Sequence, residues 1–461
     1  MSLKTTQRRT RAKPKSFLAS LRTFLTPALW KQAEQARPTT RRSPRWSTQP
    51  LLLTLLVMTW CCGQSQAECF EMAKGFTAVC LHKRRRPGQT AAGFQKALAQ
   101  LPLSVLRVVA AGLRRRFQQV FDLVSDGWIL LGVDGSALAC PRTAELEQRL
   151  DPPSKKHGPP QLWVTALVHL RTGLLWAWRL GKGDNRERSH LQALLPTLPQ
   201  AALVVADAGF VGFAMMRALV ETAQVSFLIR VSSKDRLYTE EPDWGARRRH
   251  FAGQELWYWP KEARKLELPA LRVRLLRVRD RRRRGQTLWL LTNVLEKERL
   301  SEVQAGLYYR WRWENECFFR TYKRTLAKVK LQSRTVRLVH REAEGALLAV
   351  QLLLAQGWLA LPQQLQSQAV RRRGEPVPRL SPRQALLAVR QVIQGKIGVR
   401  QQKPLQRLLA QALREQRRRR SAKVKREWPR RSPHKPLKAP QILTLTKDDK
   451  VLLAKVLEQA A

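Results

Sequence analysis

The chain has 461 residues, with 86 Lys and Arg against 34 Asp and Glu, a formal net charge of +52. That excess excludes an ordinary small-metabolite enzyme as the default reading and points to a polyanionic partner, nucleic acid above all. With 44% hydrophobic residues the charge sits on a folded protein, of about two to four domains by length, rather than on a disordered chain.

Residues 1–48 mix Arg, Lys, Pro and Ser with little periodicity and read as a basic flexible arm. Residues 49–125 read as a helical DNA-binding region. Its apolar run at 51–62 is shorter than the ~20 residues that span a bilayer, so a buried helix is expected and no membrane partner. Cys61, Cys62, Cys69, Cys80 and His82 lack paired C-x2-C spacing. Buried thiols are therefore expected there rather than zinc. The remaining cysteines, Cys140 and Cys317, make no disulfide framework, and a reducing compartment fits. The basic runs at 83–86 and 114–116 supply phosphate-binding charge.

Beyond residue 126 the texture becomes that of an α/β fold. Short apolar runs at 128–133, 161–170 and 174–180 read as strands, the last two joined by a hairpin at Arg171-Thr172-Gly173. Asp184 and Asn185 start a helix. Strands follow at 203–206 and 225–231, with a helix at 212–224 between them. Residues 232–285 form a β-rich insertion, and 287–294 a further strand. Helices are expected from about 300 to 331 and from 336 to 361. The region 346–461 reads as helical and ends in a basic tail over 417–438.

Acidic residues are scarce, so those that end apolar strands stand out. Asp134 follows ILLGV and Asp207 follows LVVA, where open sheets present chemistry at strand carboxyl ends. Each also suits a turn or helix cap. In YYRWRWENECFFRTYKR, the residues Tyr309, Arg312, Glu316 and Lys323 fall within a sector of about 60° at roughly 100° per residue. Arg320 and Lys330 fall on or near that face, and Glu314 points away. A solvated face with charge pairs accounts for Arg312 with Glu316. It does not account for Tyr309, Trp311 and Trp313 around them, nor for the two upstream aspartates. Three carboxylates from separate parts of the chain suit two divalent ions, Mg2+ or Mn2+, in an in-line phosphoryl displacement. Arg and Lys beside them suit a nucleic-acid strand held by its phosphates.

The spacing Tyr309-x2-Arg312-x3-Glu316-x6-Lys323 resembles the Y-R-E-K signature of DDE transposases of the fourth insertion-sequence family. Asp134 in VDGS and Asp207 in VADAGF resemble that family's two catalytic aspartates. The likeness spans roughly residues 126–345. It implies an RNase H-like mixed sheet core over 126–345 with a β-rich insertion, flanked by helical N- and C-terminal regions. It also implies cut-and-paste transposition by nicking, hairpin formation and resolution, and strand joining. Asp134, Asp207 and Glu316 would hold two Mg2+ or Mn2+ ions. Tyr309, Arg312, Arg320, Lys323 and Lys330 would contact DNA. The implied partners are double-stranded DNA at element ends and target, and a second copy in a synaptic complex. No small-molecule substrate is expected, and the implied setting is the bacterial cytoplasm at the nucleoid. A base-stacking Trp of the family would fall on Leu288, so Trp289 lies one residue off, and Trp257 and Trp259 stay open as candidates. Two rival readings are a catalytically inactive DNA-binding relic and a nuclease that cuts without joining.

Overall fold

The apolar runs of the middle of the chain become strands, and every one of them enters a single sheet. The computed structural model describes residues 16–38, 45–81, 87–150, 158–182, 187–241, 254–279, 287–361, 380–412 and 438–459. The chain divides into two compact units, one within residues 1–122, 140–146 and 320–414, the other within 123–139, 147–319 and 415–461.

Among the described residues the second unit holds ten strands: β1 (Ile129–Ala139), β2 (Gln161–His169), β3 (Leu175–Lys182), β4 (Ala202–Ala206), β5 (Ser226–Arg230), β6 (Arg236–Thr239), β7 (Glu255–Tyr258), β8 (Leu271–Arg279), β9 (Thr287–Thr292) and β10 (Gln441–Thr444). Their order across the sheet is β10-β6-β7-β8-β9-β5-β4-β1-β2-β3. β1, β2 and β3 form an antiparallel meander, while β4 and β5 run parallel to β1. The hairpin at 171–173 forms as expected, with Gly173 at φ +69° and its N–H donating to the His169 carbonyl at 2.8 Å. β4 is buried at every position, as a central parallel strand should be.

β9 pairs antiparallel with β5 and carries β8, β7 and β6 beyond it. The β-rich insertion thus extends the core sheet. One face of the central strands is covered by the helix Glu302–Trp311, whose Ala305, Tyr308 and Tyr309 pack on Leu130, Leu203, Val205, Leu228, Leu276 and Leu290. A capping box at Ser301 and Gln304 fixes its start.

Three expectations change here. The helix expected from 300 to 331 is broken: Glu302–Trp311 is followed by a separate helix Trp313–Arg320 and a π-helical turn Thr321–Thr325. The break sits at Arg312, whose N–H bonds the Tyr309 carbonyl three residues back, tightening the turn. The C-terminal region is not helical throughout, because β10 adds to the edge of β6 and the helix Lys447–Glu458 packs behind it. Tyr238, Trp259, Leu445, Leu453 and Val456 share one apolar cluster there, and Arg264 pairs with Asp449 at 2.6 Å. In the first unit, part of the expected flexible arm is ordered as helices Phe17–Phe24 and Pro27–Gln35, because Phe17, Leu21, Phe24 and Leu29 are buried.

That first unit is otherwise helical, built on Thr48–Trp60 and Val336–Ala360. The apolar run at 51–62 is the buried helix expected, and Trp60 donates its indole N–H to the Ala349 carbonyl at 3.1 Å. Among the described residues Val336–Ala360 alone is, by itself, long and apolar enough to cross a membrane, and 89% of its apolar stretch is buried. All six cysteines are free. Burial pushes the Cys61 and Cys80 thiols up to about 12. His82, the runs at 1–15 and 83–86, Asp184, Asn185 and the basic tail up to residue 437 lie outside the described residues.

Candidate active site

Parallel pairing of β1 with β4 sets the first half of the site. Gly132 and Val205 form the last pair of that ladder. Asp134 and Asp207 each lie two residues further on, so the register sets them level. Asp134 does not end its strand as the sequence implied; β1 continues to Ala139 and pairs Asp134 with Ala166 of β2. Its Oδ1 accepts from the Gly135 N–H at 2.9 Å. Asp207 does follow its strand. It also caps the turn Ala208–Phe210, with Oδ1 accepting from the Gly209 N–H at 2.9 Å. The capping reading and the site reading therefore both apply to Asp207.

The helix Trp313–Arg320 brings the third carboxylate. It approaches β1 closely because residue 132 is glycine: a Cβ there would lie 2.7 Å from Nδ2 of Asn315 and 2.8 Å from its Oδ1. Asn315 is fully buried, and neither amide atom has a hydrogen-bond partner. Glu316 is the next residue. The break at Arg312 sends that side chain in among the acids. Its Nη1 stands 3.9 Å from Asp134 Oδ2 and its Nη2 3.8 Å from Glu316 Oε1. Its guanidinium also lies 5.7 Å from the Tyr309 ring centre.

The electrostatics follow from crowding. Burial raises the Asp134 pKa above the usual carboxylate range; Arg312 and the Gly135 N–H pull it down, while Asp207 and Glu316 push it up. Burial opposes the Arg312 charge, yet Tyr309, Asp134, Asp207 and Glu316 together hold its pKa above normal. Burial also raises the Tyr309 phenol, and Arg230 at the end of β5 is among the charges it feels.

A fourth carboxylate was not singled out from the sequence. Glu187 is pushed up to about 7 by burial, then by Asp134 and Asp207. It opens the helix Glu187–Leu194, where an acid looks like an ordinary first-turn residue. Its neighbour Arg188 donates to the Gly209 carbonyl at 2.9 Å, just past Asp207. The general scarcity of acids was the one signal available for it.

Of the predicted residues, Asp134, Asp207, Glu316, Arg312 and Tyr309 are thus brought together. Arg320, Lys323 and Lys330 belong to the other unit. Arg320 is exposed at its helix end, and Lys323 is half-buried in the π-helical turn, where burial lowers its pKa. Lys330 is exposed and lies past the helix, so its helical phase was misread. Leu288 packs on the core, which turns Trp289 to the opposite face, 6.0 Å from the Arg277 guanidinium carbon. Trp259 is fully buried with its N–H on the Leu268 carbonyl, which removes it as a stacking platform. Trp257 donates to Glu240 Oε1 at 2.8 Å.

Carboxylate oxygens, with no thiolate or imidazole among them, are the donor set of magnesium or manganese. In this arrangement the cation among the acids is Arg312. Among the described residues no group of three His, Cys, Asp or Glu side chains is placed to hold a metal ion.

Residues 130–352 match a family model described as the transposase DDE domain. The transposase InsG for insertion sequence element IS4 of Escherichia coli (strain K12) is 25% identical over 245 residues, 49% of this chain and 52% of that protein. The chain therefore spans about half the length of this curated relative. A solved structure, a cryo-EM piggyBac transposase synaptic complex with hairpin DNA, aligns at TM-score 0.40 and 10% identity over 87% of this chain and 83% of that one. Over residues 130–352 the chain is thus similar to transposase DDE domains, and over 245 residues it is similar to a transposase of an insertion sequence element.

Proposed function

We propose that the chain catalyses cut-and-paste movement of an insertion sequence by phosphoryl transfer at DNA ends. The observation that carries this is the meeting of Asp134 and Glu316 around Arg312, with Asp207 level with Asp134, inside the matched domain. The strand order β3-β2-β1-β4-β5, antiparallel then parallel, supports the RNase H-like reading of the core.

Asp134, Asp207 and Glu316 are the residues that would hold a pair of Mg2+ or Mn2+ ions, with Arg312 yielding its place between them. Bound divalent ions supply charge neutralisation at the attacking and leaving oxygens of the phosphodiester. Arg312, freed toward the DNA and backed by Tyr309, would then grip a phosphate. Arg230 and Arg188 add positive charge at the rim. Arg320, Lys323 and Lys330 are read as further contacts to the DNA backbone. The product sequence is nicking, hairpin formation, hairpin opening and strand joining, carried out by a dimer that holds two element ends. The setting is the bacterial nucleoid.

The test is a cleavage and joining assay on paired element ends with Mg2+ or Mn2+. Asp134→Asn, Asp207→Asn and Glu316→Gln should each lower cleavage by at least about a hundred-fold, a loss typical of removing one preorganised stabilising group, while gel-shift binding of DNA persists. Cleavage without joining by the wild-type chain would favour a plain nuclease. DNA binding with no cleavage would favour an inactive relic.

A further inference from the structure

The helical unit carries a groove of its own, between the helices Pro27–Gln35 and Leu103–Val120. Leu29 presses on Gly112, where a Cβ would collide with Leu29 Cδ1. One end of the pairing is tied by Ser104 Oγ, which donates to the Ala36 carbonyl at 3.5 Å. The other is tied by Arg116 Nε, which donates to the Thr23 carbonyl at 2.6 Å. The two helices therefore run in opposite directions side by side. Gln32, Gln35, Val108, Ala111, Arg114 and Arg115 line the groove between them. It encloses about 380 Å3, against roughly 30 Å3 for a water molecule, so it has room for a sizeable chemical group.

The lining is basic and lacks any acid. Val108 and Ala111 are its apolar part, and two amides and two guanidinium groups are its polar part. Arg114 is half-buried, and among the described residues no hydrogen bond or ion pair answers its charge. Burial lowers its pKa, Arg115 lowers it further, and no carboxylate offsets either. Arg115 is exposed and donates from Nη2 to Gln32 Oε1 at 3.0 Å. Its guanidinium is thus steadied against the opposite helix, with further N–H groups left to donate. Neither arginine stands in the last turn of Leu103–Val120, where a cation would complement the helix dipole. A solvated face accounts for an exposed arginine. It does not account for a half-buried one beside another cation, because withdrawing an unpaired charge from water is unfavourable.

We infer that this groove seats a phosphate of the DNA backbone, held by Arg114 and Arg115 with the amides of Gln32 and Gln35 as neutral donors. A phosphodiester offers only acceptors and a negative charge, which guanidinium groups bind through charge-assisted hydrogen bonds. Gln32 already accepts from Arg115, which leaves its NH2 group to donate. Val108 and Ala111 suit the carbon atoms of the flanking sugars. A contact of this kind fixes the register of the duplex on the protein and carries no sequence information. The inference rests on the reading of DNA as the partner, which the net charge of +52 supports. It does not depend on the carboxylates of the sheet unit.

The test is duplex binding by the full chain in chelator, followed by fluorescence anisotropy across a series of salt concentrations. One duplex carries an element end and the other an unrelated sequence. Each phosphate contact removed should flatten the plot of log affinity against log salt by roughly 0.9. Arg114→Gln and Arg115→Gln should each do this and weaken both duplexes alike. Arg114→Gln should leave stability in urea unchanged or raised, since it removes a half-buried charge that nothing in the protein pairs. Ala111→Phe, which fills the groove and keeps its charge, should also weaken binding. Lowered stability in Arg114→Gln with an unchanged slope would assign that arginine to the fold and overturn the inference. Unchanged slopes in both arginine variants, with steep salt dependence in the wild-type chain, would overturn the groove alone. Weakening confined to the element-end duplex would mark base reading and overturn the phosphate assignment. No salt-dependent binding of either duplex by the wild-type chain would overturn DNA as the partner as well.

Discussion

Arg312 offers the sharpest test of how the carboxylates of the site are held together. Replacing it with Met keeps most of the apolar stem and removes the charge from among the acids. Each of its ion pairs, at 3.9 Å to Asp134 and 3.8 Å to Glu316, is worth about 4 kcal/mol before desolvation at an effective dielectric near 20. The Glu316 side chain is 38% exposed, so its share is largely screened. The Asp134 side chain is 23% exposed and supplies most of the effect. Losing one partner of a mostly buried pair typically costs about 3–5 kcal/mol, and the long distances place Arg312→Met near 3 kcal/mol. The measurement is urea unfolding followed by tryptophan fluorescence at neutral pH, once with a chelator and once with Mg2+. On the proposed reading, in which the carboxylates bind a divalent ion, the loss should be full in chelator and mostly recovered in Mg2+, since the ion would replace the missing guanidinium. It should also shrink as pH falls, since protonated carboxyls have no need of Arg312. A loss below about 0.5 kcal/mol, within the range of ordinary surface substitutions, would refute the argument. So would an equal loss with and without Mg2+.

His169 should make stability fall in acid. Burial holds its pKa down at about 4 against 6.5 for a free imidazole, with Nε2 on the Leu123 carbonyl and Nδ1 on Thr172. The unfolded chain then binds the extra proton first. The contribution is complete above about 6.5 and lost as pH falls through 4, on the order of 3 kcal/mol in all; His169→Phe should flatten that part of the stability-pH curve. Glu342 accepts from Lys328 Nζ at 2.7 Å and from the backbone N–H groups of Gln332 and Ser333. Glu342→Ala should cost about 3–5 kcal/mol in thermal unfolding by stranding that lysine, and Lys328→Met in the same background should restore part of it. Neutralising the arginines and lysines of 417–437 by substitution should flatten the salt dependence of DNA binding. Truncation from 417 onward should instead destabilise the sheet unit as well, because it removes β10 and the helix behind it.

The sequence alone pointed to the candidate chemistry. Few acids in a chain of +52, two of them after apolar runs and one within a Tyr-Arg-Glu-Lys spacing, singled out a candidate phosphoryl-transfer site on an α/β sheet. Local patterns of this kind survive folding because periodicity and turn residues act over a few positions. The tertiary structure decided what depends on pairing between remote segments. Pairing of β1 with β2 placed Asp134 inside its strand, and the register of β1 on β4 set it level with Asp207. The tightened turn at Arg312 put a guanidinium among the carboxylates, which a uniform helical phase did not foresee. Gly135 gained meaning only when Glu187 arrived opposite it from another element. Residues 441–444 became an edge strand only because β6 offered unpaired backbone groups to them. Such outcomes are fixed by which hydrogen-bond ladders and apolar faces find each other across hundreds of residues, and no short window of sequence carries that information.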